Sequence, residues 1–460
     1  MATAVLDIGK TNAKVLLLGE DGTPLASRTR ACVVRLGPPY PHLDLDGIAA
    51  WALSALAELG RQARIDCIVP VTHGAAGVLM AGEAPALPAL DYEHAGPDET
   101  AGELLPQLDP FAATGSPVLP LGLNLGAQLD WQDKRFPQAF AKVTDILPLP
   151  QYWAWRLCGV KATEVTSLGA HSHLWRPREG RFSDLVRRRG WLERMPPLRH
   201  AWETLGPIRP ELAAATGLPA DCRVLTGIHD SNASYLAHAV AREAPFTVLS
   251  TGTWIIAMAA GVPVDRLDPA ADMLCNVDAL ARPVPTAKFM GGRETEILAG
   301  PDGVRVAAGP ADVSALVAKG VMALPAFVAG SGPYLGRAGQ VLGVLGADPV
   351  RRSALAALYA ALVVDVMLEK LGSSGPVILE GSFQRNTAFI GLLAALRPGQ
   401  TIHPSDDPSG TARGAWLLSR WQSGTGWTSP LPPAVTGWRV AGLEAYRARW
   451  RGLSAGRSAA

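Results

Sequence analysis

The stretch Thr226-Gly227-Ile228-His229-Asp230-Ser231-Asn232 leads into a helical run from Ala233 to Ala241. An apolar strand from Phe246 to Ser250 follows and breaks into Thr251-Gly252-Thr253-Trp254. A carboxylate set at a strand-to-helix turn can accept a proton from a bound hydroxyl. A strand ending in a Thr-Gly-Thr turn leaves backbone N–H groups free, and such a nest holds phosphate oxygens. In succession they point to a base beside a phosphate cradle, and neither half decides the matter alone. Asp is also a favoured N-cap, so the competing reading of Asp230 is a cap on the helix that begins at Ser231.

Near the amino terminus the same outline occurs. Ala4 to Ile8 reads as one strand, Ala13 to Leu18 as a second, and Thr23 to Ala31 as a third after the turn Asp21-Gly22. The first turn, Asp7-Ile8-Gly9-Lys10-Thr11-Asn12 with Lys14 close by, offers free amides and a cation to phosphate. An ordinary polar hairpin would use the same residue types. Gly9-Lys10-Thr11 also matches the end of a Walker A loop. Ala4 stands where that loop needs a glycine, however, and a strand follows where a helix should open, so the P-loop is excluded. After Trp254 an apolar strand from Ile255 to Ala259 completes the second strand-turn-strand unit. Two such units half a chain apart suggest a duplicated architecture.

Other segments fill in the frame. Apolar spacing predicts helices over Leu45 to Ala63, Asp145 to Gly159, Phe182 to Arg189 and Arg351 to Leu371. Ile65 to Val71 reads as a buried strand ending in Thr72-His73-Gly74, and Pro376 to Leu379 as a short strand. The turn Glu380-Gly381-Ser382-Phe383-Gln384-Arg385-Asn386 opens a helix through Leu396, where unpaired amides can face a nucleotide. Ser409-Gly410-Thr411-Ala412-Arg413-Gly414-Ala415 starts one more small-residue helix. The loop-rich section from Ala84 to Asp130 carries two polar clusters, Asp91 to His94 and Asn124 to Gln128, either of which can line a small-molecule pocket or simply be solvated. Leu205 to Asp221 reads as surface connection, Pro325 to Gly336 as a loop, and Gly452 to Ala460 as a frayed tail.

Composition bounds the function. A chain of 460 residues exceeds what one core usually supports, so two domains are expected. Lys plus Arg number 42 against 41 Asp plus Glu, a net charge of +1 with no basic face, which argues against nucleic acid and anionic membrane as partners. Five cysteines stand far apart without Cys-x-x-Cys spacing, the pattern of reduced thiols and not of a zinc site or a disulfide framework. The amino terminus enters a strand at once, and no apolar run approaches the ~20 residues of a membrane span. A cytoplasmic protein is expected.

The ordered set Asp7-x-Gly9-x-Thr11-Asn12-x-Lys14, His73-Gly74, Gly227-x-His229-Asp230, Ser250 to Thr253, Gly381 to Asn386 and Gly410 to Ala415 resembles the FGGY carbohydrate kinases. These belong to the actin, Hsp70 and sugar kinase superfamily. The resemblance runs from Leu6 to about Trp416 and rests on order and spacing. It implies an α/β fold of two ribonuclease H-like (actin-like ATPase) domains with a cleft between them. Their bounds would be 1–242 and 243–435, with a helix and tail over 436–460. It further implies ATP and Mg2+, a sugar substrate, and the homodimer common in the family.

By that likeness Gly9, Lys10, Thr11, Asn12 and Lys14 form the first phosphate loop, and Gly252 and Thr253 the second. Gly381, Ser382, Asn386, Gly410 and Thr411 fall in the adenosine region. Asp230 takes the place of the catalytic base. Asp7 and Asp230 are the acids near magnesium, Asp7 through water. The sugar would meet His73, Gly74, Asp91, Gln128, His229 and Asp230. The His229-Asp230 pair is similar to the rhamnulose and fuculose kinase branch, in which such a histidine helps hold the sugar. That implies a 6-deoxy ketohexose such as L-fuculose or L-rhamnulose, with a pentulose such as xylulose or ribulose as the alternative.

Three departures from the family pattern stand out. Lys10 replaces the usual small residue, Gly381-Ser382-Phe383 replaces three glycines, and no Trp-x-Asp-x-Arg surrounds Asp91. An actin-like ATPase would use the same phosphate loops with water as acceptor. A sugar sensor would keep the fold without the acids, and here both acids are present.

Overall fold

The computed structural model describes residues 2–405, 410–424 and 427–456. Ser409 and residues 457–460 of the expected tail therefore lie outside the described residues. The chain divides into two compact units. The first comprises Met1–Ala241, Cys275–Pro283 and Ser409–Thr428; the second comprises Arg242–Leu274, Val284–Pro408 and Ser429–Ala460.

The first unit is built on its amino-terminal strands. β1 (Ala2–Ile8) and β2 (Asn12–Leu18) form an antiparallel hairpin, and β3 (Pro24–Ala31) extends it. Helix α1 (Leu45–Gly60) starts where Asp44 caps the Gly47 amide at 3.2 Å. It buries Ile48, Ala52, Leu56 and Leu59 in one core with Leu6, Val15 and Leu17 of the hairpin. Burial of each such large apolar side chain contributes about 1.5–3 kcal/mol. β4 (Ile65–Thr72) then runs parallel to β1, buried along nearly all its length as a central parallel strand must be. Helix α2 (Leu149–Cys158) packs Trp153 and Leu157 into the same core.

The segment expected as surface connection instead carries structure. β5 (Thr204–Pro207) is an edge strand, and α3 (Pro210–Thr216) packs on α1. Its Gly and Pro content suits an edge, where a missing N–H costs no ladder bond. β6 (Arg223–Leu225) and β7 (Ile228–His229) both pair with β4, so the sheet reads β5-β6-β4-β1-β2-β3 with β7 beside the end of β4. α4 (Asp230–Ala239) follows without a linker. Helix Gly410–Ser419 crosses α4 so closely that a Cβ on Gly414 would lie 1.7 Å from Ala233 O, and only glycine fits there. Two further expectations are trimmed: the Phe182 to Arg189 helix is the short piece Asp184–Arg188, and α1 stops at Gly60.

The second unit repeats the hairpin. β8 (Phe246–Thr251) and β9 (Ile255–Ala260) are antiparallel, β10 (Pro283–Phe289) joins β9, and α5 (Gly291–Gly303) leaves from the end of β10. α6 (Pro349–Leu371) is the longest helix described, capped by Asp348, whose carboxylate accepts from the Val350 amide at 3.0 Å. Its alanines and leucines lie in the core of this unit. β11 (Val377–Gly381) pairs in parallel with β8, α7 (Thr387–Leu396) follows, and β12 (Ile402–Pro404) joins β11. Within a six-stranded sheet these strands run β10-β9-β8-β11-β12. The expected frayed tail is instead helical to Ala455, with Trp450 fully buried and donating to Ala323 O at 2.6 Å.

All five cysteines are free thiols. Among the described residues no helix is long and apolar enough to cross a membrane.

Candidate active site

In the first unit the ends of β1, β4 and β7 lie side by side in register, because Ile8 pairs with Thr72 and Thr72 with His229. Three stretches singled out in the sequence, Asp7 to Asn12, His73-Gly74 and His229-Asp230, are thereby brought to one edge of one sheet. Parallel sheets commonly place ligands at such carboxyl ends. The β1–β2 turn is closed by Gly9 N–H donating to Asn12 O at 2.9 Å. Among the described residues the Lys10 and Thr11 amides have no acceptor, as a phosphate nest requires.

Asp7 is partly buried, and its pKa is pushed up to about 7 by burial first and by the negative charge of Asp230 second, with Lys14 opposing. A carboxyl raised by the charge of a neighbouring carboxylate marks a site a divalent cation would relieve. The donor set is all oxygen, as Mg2+ prefers. Among the described residues there is no cluster of three or more metal-binding side chains, so any ion held there would keep several waters.

Asp230 is the first residue of α4, with His229 in the capping position, so the cap reading of Asp230 does not hold. Its Oδ1 accepts from Ser231 N at 2.5 Å and from Ser231 Oγ at 3.1 Å, and stands 3.2 Å from His229 Nε2. His73 and His229 are both buried, and burial holds both rings below the ordinary histidine pKa. His73 Nδ1 donates to Gly74 O at 2.8 Å, which leaves its Nε2 as an acceptor. Gly74 lies against His229, where a Cβ would come 2.8 Å from Nε2.

Other candidates stand differently. Lys10, placed by the sequence on phosphate, bonds the Asp91 carboxylate, lies 3.3 Å from Glu93 and sits over the Tyr92 ring at 4.7 Å. The β1–β2 turn and the Asp91 loop are thus tied together. Gln128 is buried in helix Leu125–Arg135, its amide donating to Ala75 O at 2.7 Å and to Gly122 O at 2.5 Å. Its nitrogen is a strut between loops.

Residues that carried no role in the sequence complete this edge. Glu164 is fully buried, and burial pushes its carboxyl up to about 8 against hydrogen bonds from Thr166. Its Oε2 accepts from Thr166 N at 2.9 Å and from Thr166 Oγ1 at 2.5 Å, and Thr166 Oγ1 accepts from the His229 amide at 3.0 Å.

In the second unit a groove of about 1030 Å³ is lined by Gly252, Thr253, Gly292, Ser382, Phe383 and Asn386 among others, with one wall from α5 and α6. Its size is at the upper end of small-molecule sites. Gly252 N–H closes the turn on Trp254 O at 2.8 Å. Thr251 Oγ1 donates to Glu380 O at 2.5 Å and accepts from Phe383 N at 3.0 Å, tying the hairpin to the Gly381 to Asn386 turn. Asn386 caps α7 through the Phe389 amide at 3.0 Å. A Cβ on Gly292 would lie 2.1 Å from Gly252 O, so α5 presses its first turn against the hairpin. Gly410 and Thr411 are not in this lining; they open the helix on α4 in the first unit.

Comparison with known proteins decides the family. The FGGY family of carbohydrate kinases, N-terminal domain, matches residues 112–237, and carbohydrate kinase FGGY, C-terminal domain, matches 243–427. A carbohydrate kinase from Novosphingobium aromaticivorans is similar over 98% of both chains, with 38% identity and a TM-score of 0.89. The chain belongs to the FGGY family of carbohydrate kinases. It is a sugar kinase of two-domain α/β, actin-like ATPase architecture.

More distant FGGY-like structures share the fold. A ligand-bound xylulose kinase from Lactobacillus acidophilus has 15% identity and a TM-score of 0.82, covering 98% of this chain and 96% of its own. A Plasmodium falciparum glycerol kinase with ADP has 14% identity and a TM-score of 0.76, covering 100% and 93%. None of the curated proteins compared with the chain matches it.

Proposed function

We propose that this kinase transfers the γ-phosphate of ATP to the terminal hydroxyl of a ketose, with Asp230 as the base. The observation that carries this is the state of the Asp230 carboxylate: Oδ1 takes both Ser231 donors and faces His229, so Oδ2 remains for a substrate proton. As the ketose oxygen bonds to phosphorus, its proton passes to Asp230 Oδ2. The bond from the γ-phosphorus to the bridging oxygen breaks, and ADP leaves with that electron pair. A placed carboxylate contributes ~10²–10⁴-fold to such a step. Asp7, through water, and Asp230 are the residues that would hold Mg2+, which when bound neutralises phosphate charge. The free Lys10 and Thr11 amides, with Asn12 and Lys14, support the γ-phosphate reading of the first hairpin.

Gly252 and Thr253 line the groove of the second unit and suit the inner phosphates, with Ser382 and Asn386 toward the nucleoside. Gly381, Gly410 and Thr411 stay with the adenosine region by family likeness alone. His73, Gly74, Asp91, Gln128 and His229 are the proposed sugar side.

The His229-Asp230 pair favours a 6-deoxy ketohexose such as L-fuculose or L-rhamnulose. A pentulose is the second reading, favoured by the xylulose kinases among the similar structures. The deciding experiment follows ADP release with MgATP against a panel of ketoses, aldoses and polyols, beside Asp230→Asn. One ketose should raise turnover well above the water background, and the variant should lose ~10²–10⁴-fold of it while still binding ATP. Equal ADP release without sugar would make the protein an ATPase.

A further inference from the structure

The first unit holds a further cavity, of about 410 Å³, within the size range of small-molecule sites. Successive side chains of a strand point to opposite faces, so Leu6 of β1 lines this cavity while its neighbour Asp7 belongs to the candidate active site. Trp153 and Trp155 of α2 form its walls, with Arg209 and Leu212 from the start of α3. Ala49 and Ala52 stand on one face of α1, and their short side chains leave the space open.

The buried side chains of the walls offer donors and no acceptors. Trp153 and Trp155 are 2% and 6% exposed, and neither indole N–H finds an acceptor among the described residues. Nor does the buried Nε of Arg209. Leaving a buried donor unpaired is costly, and folded proteins do so rarely. Three such donors on the residues around one cavity call for an acceptor brought from outside. Arg156, the other cation of the lining, is engaged, since it donates to Tyr152 Oη and to Asp46 Oδ1 at 2.8 Å each. Arg209 is held in place, its backbone amide donating to Leu157 O at 2.8 Å and its guanidinium lying over the Trp155 ring at 5.5 Å. The carboxylate it approaches, Glu83, is 3.6 Å away and 71% exposed, so most of the Arg209 charge is left for a ligand.

We infer that this cavity binds a small carboxylate with an apolar body such as one aromatic ring. The carboxylate accepts from the two indole N–H groups and from Arg209 Nε, and the body packs on the indoles, Leu6 and Leu212. A cation would find no buried acceptor there, and an uncharged apolar molecule would leave the three donors unpaired. The occupant is neither substrate of the kinase, because none of these residues belongs to the proposed sugar or phosphate groups.

The test titrates phenylacetate into the full-length chain, isotope-labelled at the indole nitrogens, and follows the N–H signals of its 13 tryptophans by NMR. Trp153→Phe and Trp155→Phe each keep a ring, remove one N–H and identify the signal that disappears. In the wild type both signals should move together and saturate with a Kd of about 1 mM or below. Each Phe variant and Arg209→Met should weaken binding about ten- to hundredfold, the effect of losing one hydrogen bond to a charged group. Phenylacetamide, which lacks the charge, and acetate, which lacks the ring, should each bind about tenfold more weakly or worse. Saturating MgATP should leave the affinity for phenylacetate unchanged.

If neither signal moved at about 20 mM phenylacetate, the inference would be overturned, and the three donors would be served by water alone. Equal affinity for phenylacetamide or for acetate would overturn it as well, by removing the need for the charge or for the ring. So would displacement by MgATP, which would move the probe to the nucleotide groove, or binding unchanged in all three variants, which would put it elsewhere on the chain. If Trp153→Phe does not fold, Arg209→Met decides on its own with the Trp155 signal, because the Arg209 side chain is only half-buried.

Discussion

The two hairpins share a skeleton and differ in chemistry. In each the first strand pairs antiparallel with the second and parallel with a later strand, β1 with β4 and β8 with β11. In each the turn glycine donates into its own turn, Gly9 to Asn12 at 2.9 Å and Gly252 to Trp254 at 2.8 Å. The first hairpin adds charge: Asp7, Lys10 and Lys14. The second, from Ser250 to Thr253, has none, and Gly292 and the Gly381 to Asn386 turn are packed against it instead. One copy of the frame thus does electrostatics and the other shape. Variants in the first should change kcat, and variants in the second nucleotide affinity.

Between the two hairpins the largest effect is expected at Lys14. Among the described residues it forms no ion pair, and its charge acts on Asp7. Lys10 is already committed to Asp91 and Glu93. Lys14→Met should therefore lower kcat by ~10²-fold, the scale of one lost transition-state charge contact. Lys10→Met should lower kcat only a few-fold while raising the ketose KM, because the Asp91 loop loses its anchor. Steady-state kinetics with both substrates varied would decide. The opposite ranking would mean that Lys10 leaves Asp91 for phosphate when nucleotide binds.

A smaller effect is expected in the second hairpin. Gly292→Ala sets a methyl 2.1 Å from Gly252 O, so the turn must shift. Overpacking of this kind costs about 1–3 kcal/mol. The ATP KM should rise about tenfold, the lower part of that range, with ketose affinity unchanged. An unchanged ATP KM would break the comparison, since the hairpin would then not hold the phosphates.

What the sequence revealed follows from how local each signal is. Both hairpins were legible because apolar strands broken by Gly, Thr and Asn are short-range patterns. Asp230 was legible because it begins a helix directly after a strand. The capture of Lys10 by Asp91 was not, since the partner lies 81 positions away on an irregular loop. Nor was Glu164, which joins the site through Thr166 to a backbone amide 63 residues further on. The role of Gly292 was not legible either, since its close approach to Gly252 exists only once β10 has brought α5 to the hairpin. The β5 and α3 segment was misread because Gly and Pro mark turns and edge strands alike.

The smallest expected effect compares the buried acids of the two units. Glu294 of the second unit accepts from Tyr359 and from Phe327 N at 3.1 Å, and burial raises its pKa. Glu164 is raised from 4.5 to about 8, also by burial. A carboxyl whose folded pKa exceeds its unfolded value binds its proton more tightly when folded. Its contribution is full below the unfolded value and is lost as pH rises through the folded one. For Glu164 the window runs from 4.5 to about 8, with a slope of at most ~1.4 kcal/mol per pH unit for one proton. Glu164→Gln keeps the shape and removes the titration. Melting temperature should therefore fall more steeply with pH between 5 and 8 in the wild type than in Glu164→Gln, and the two slopes should converge above pH 8. Parallel curves throughout would mean that Glu164 is ionised in the folded protein, and that the Thr166 bonds outweigh burial beside the proposed base.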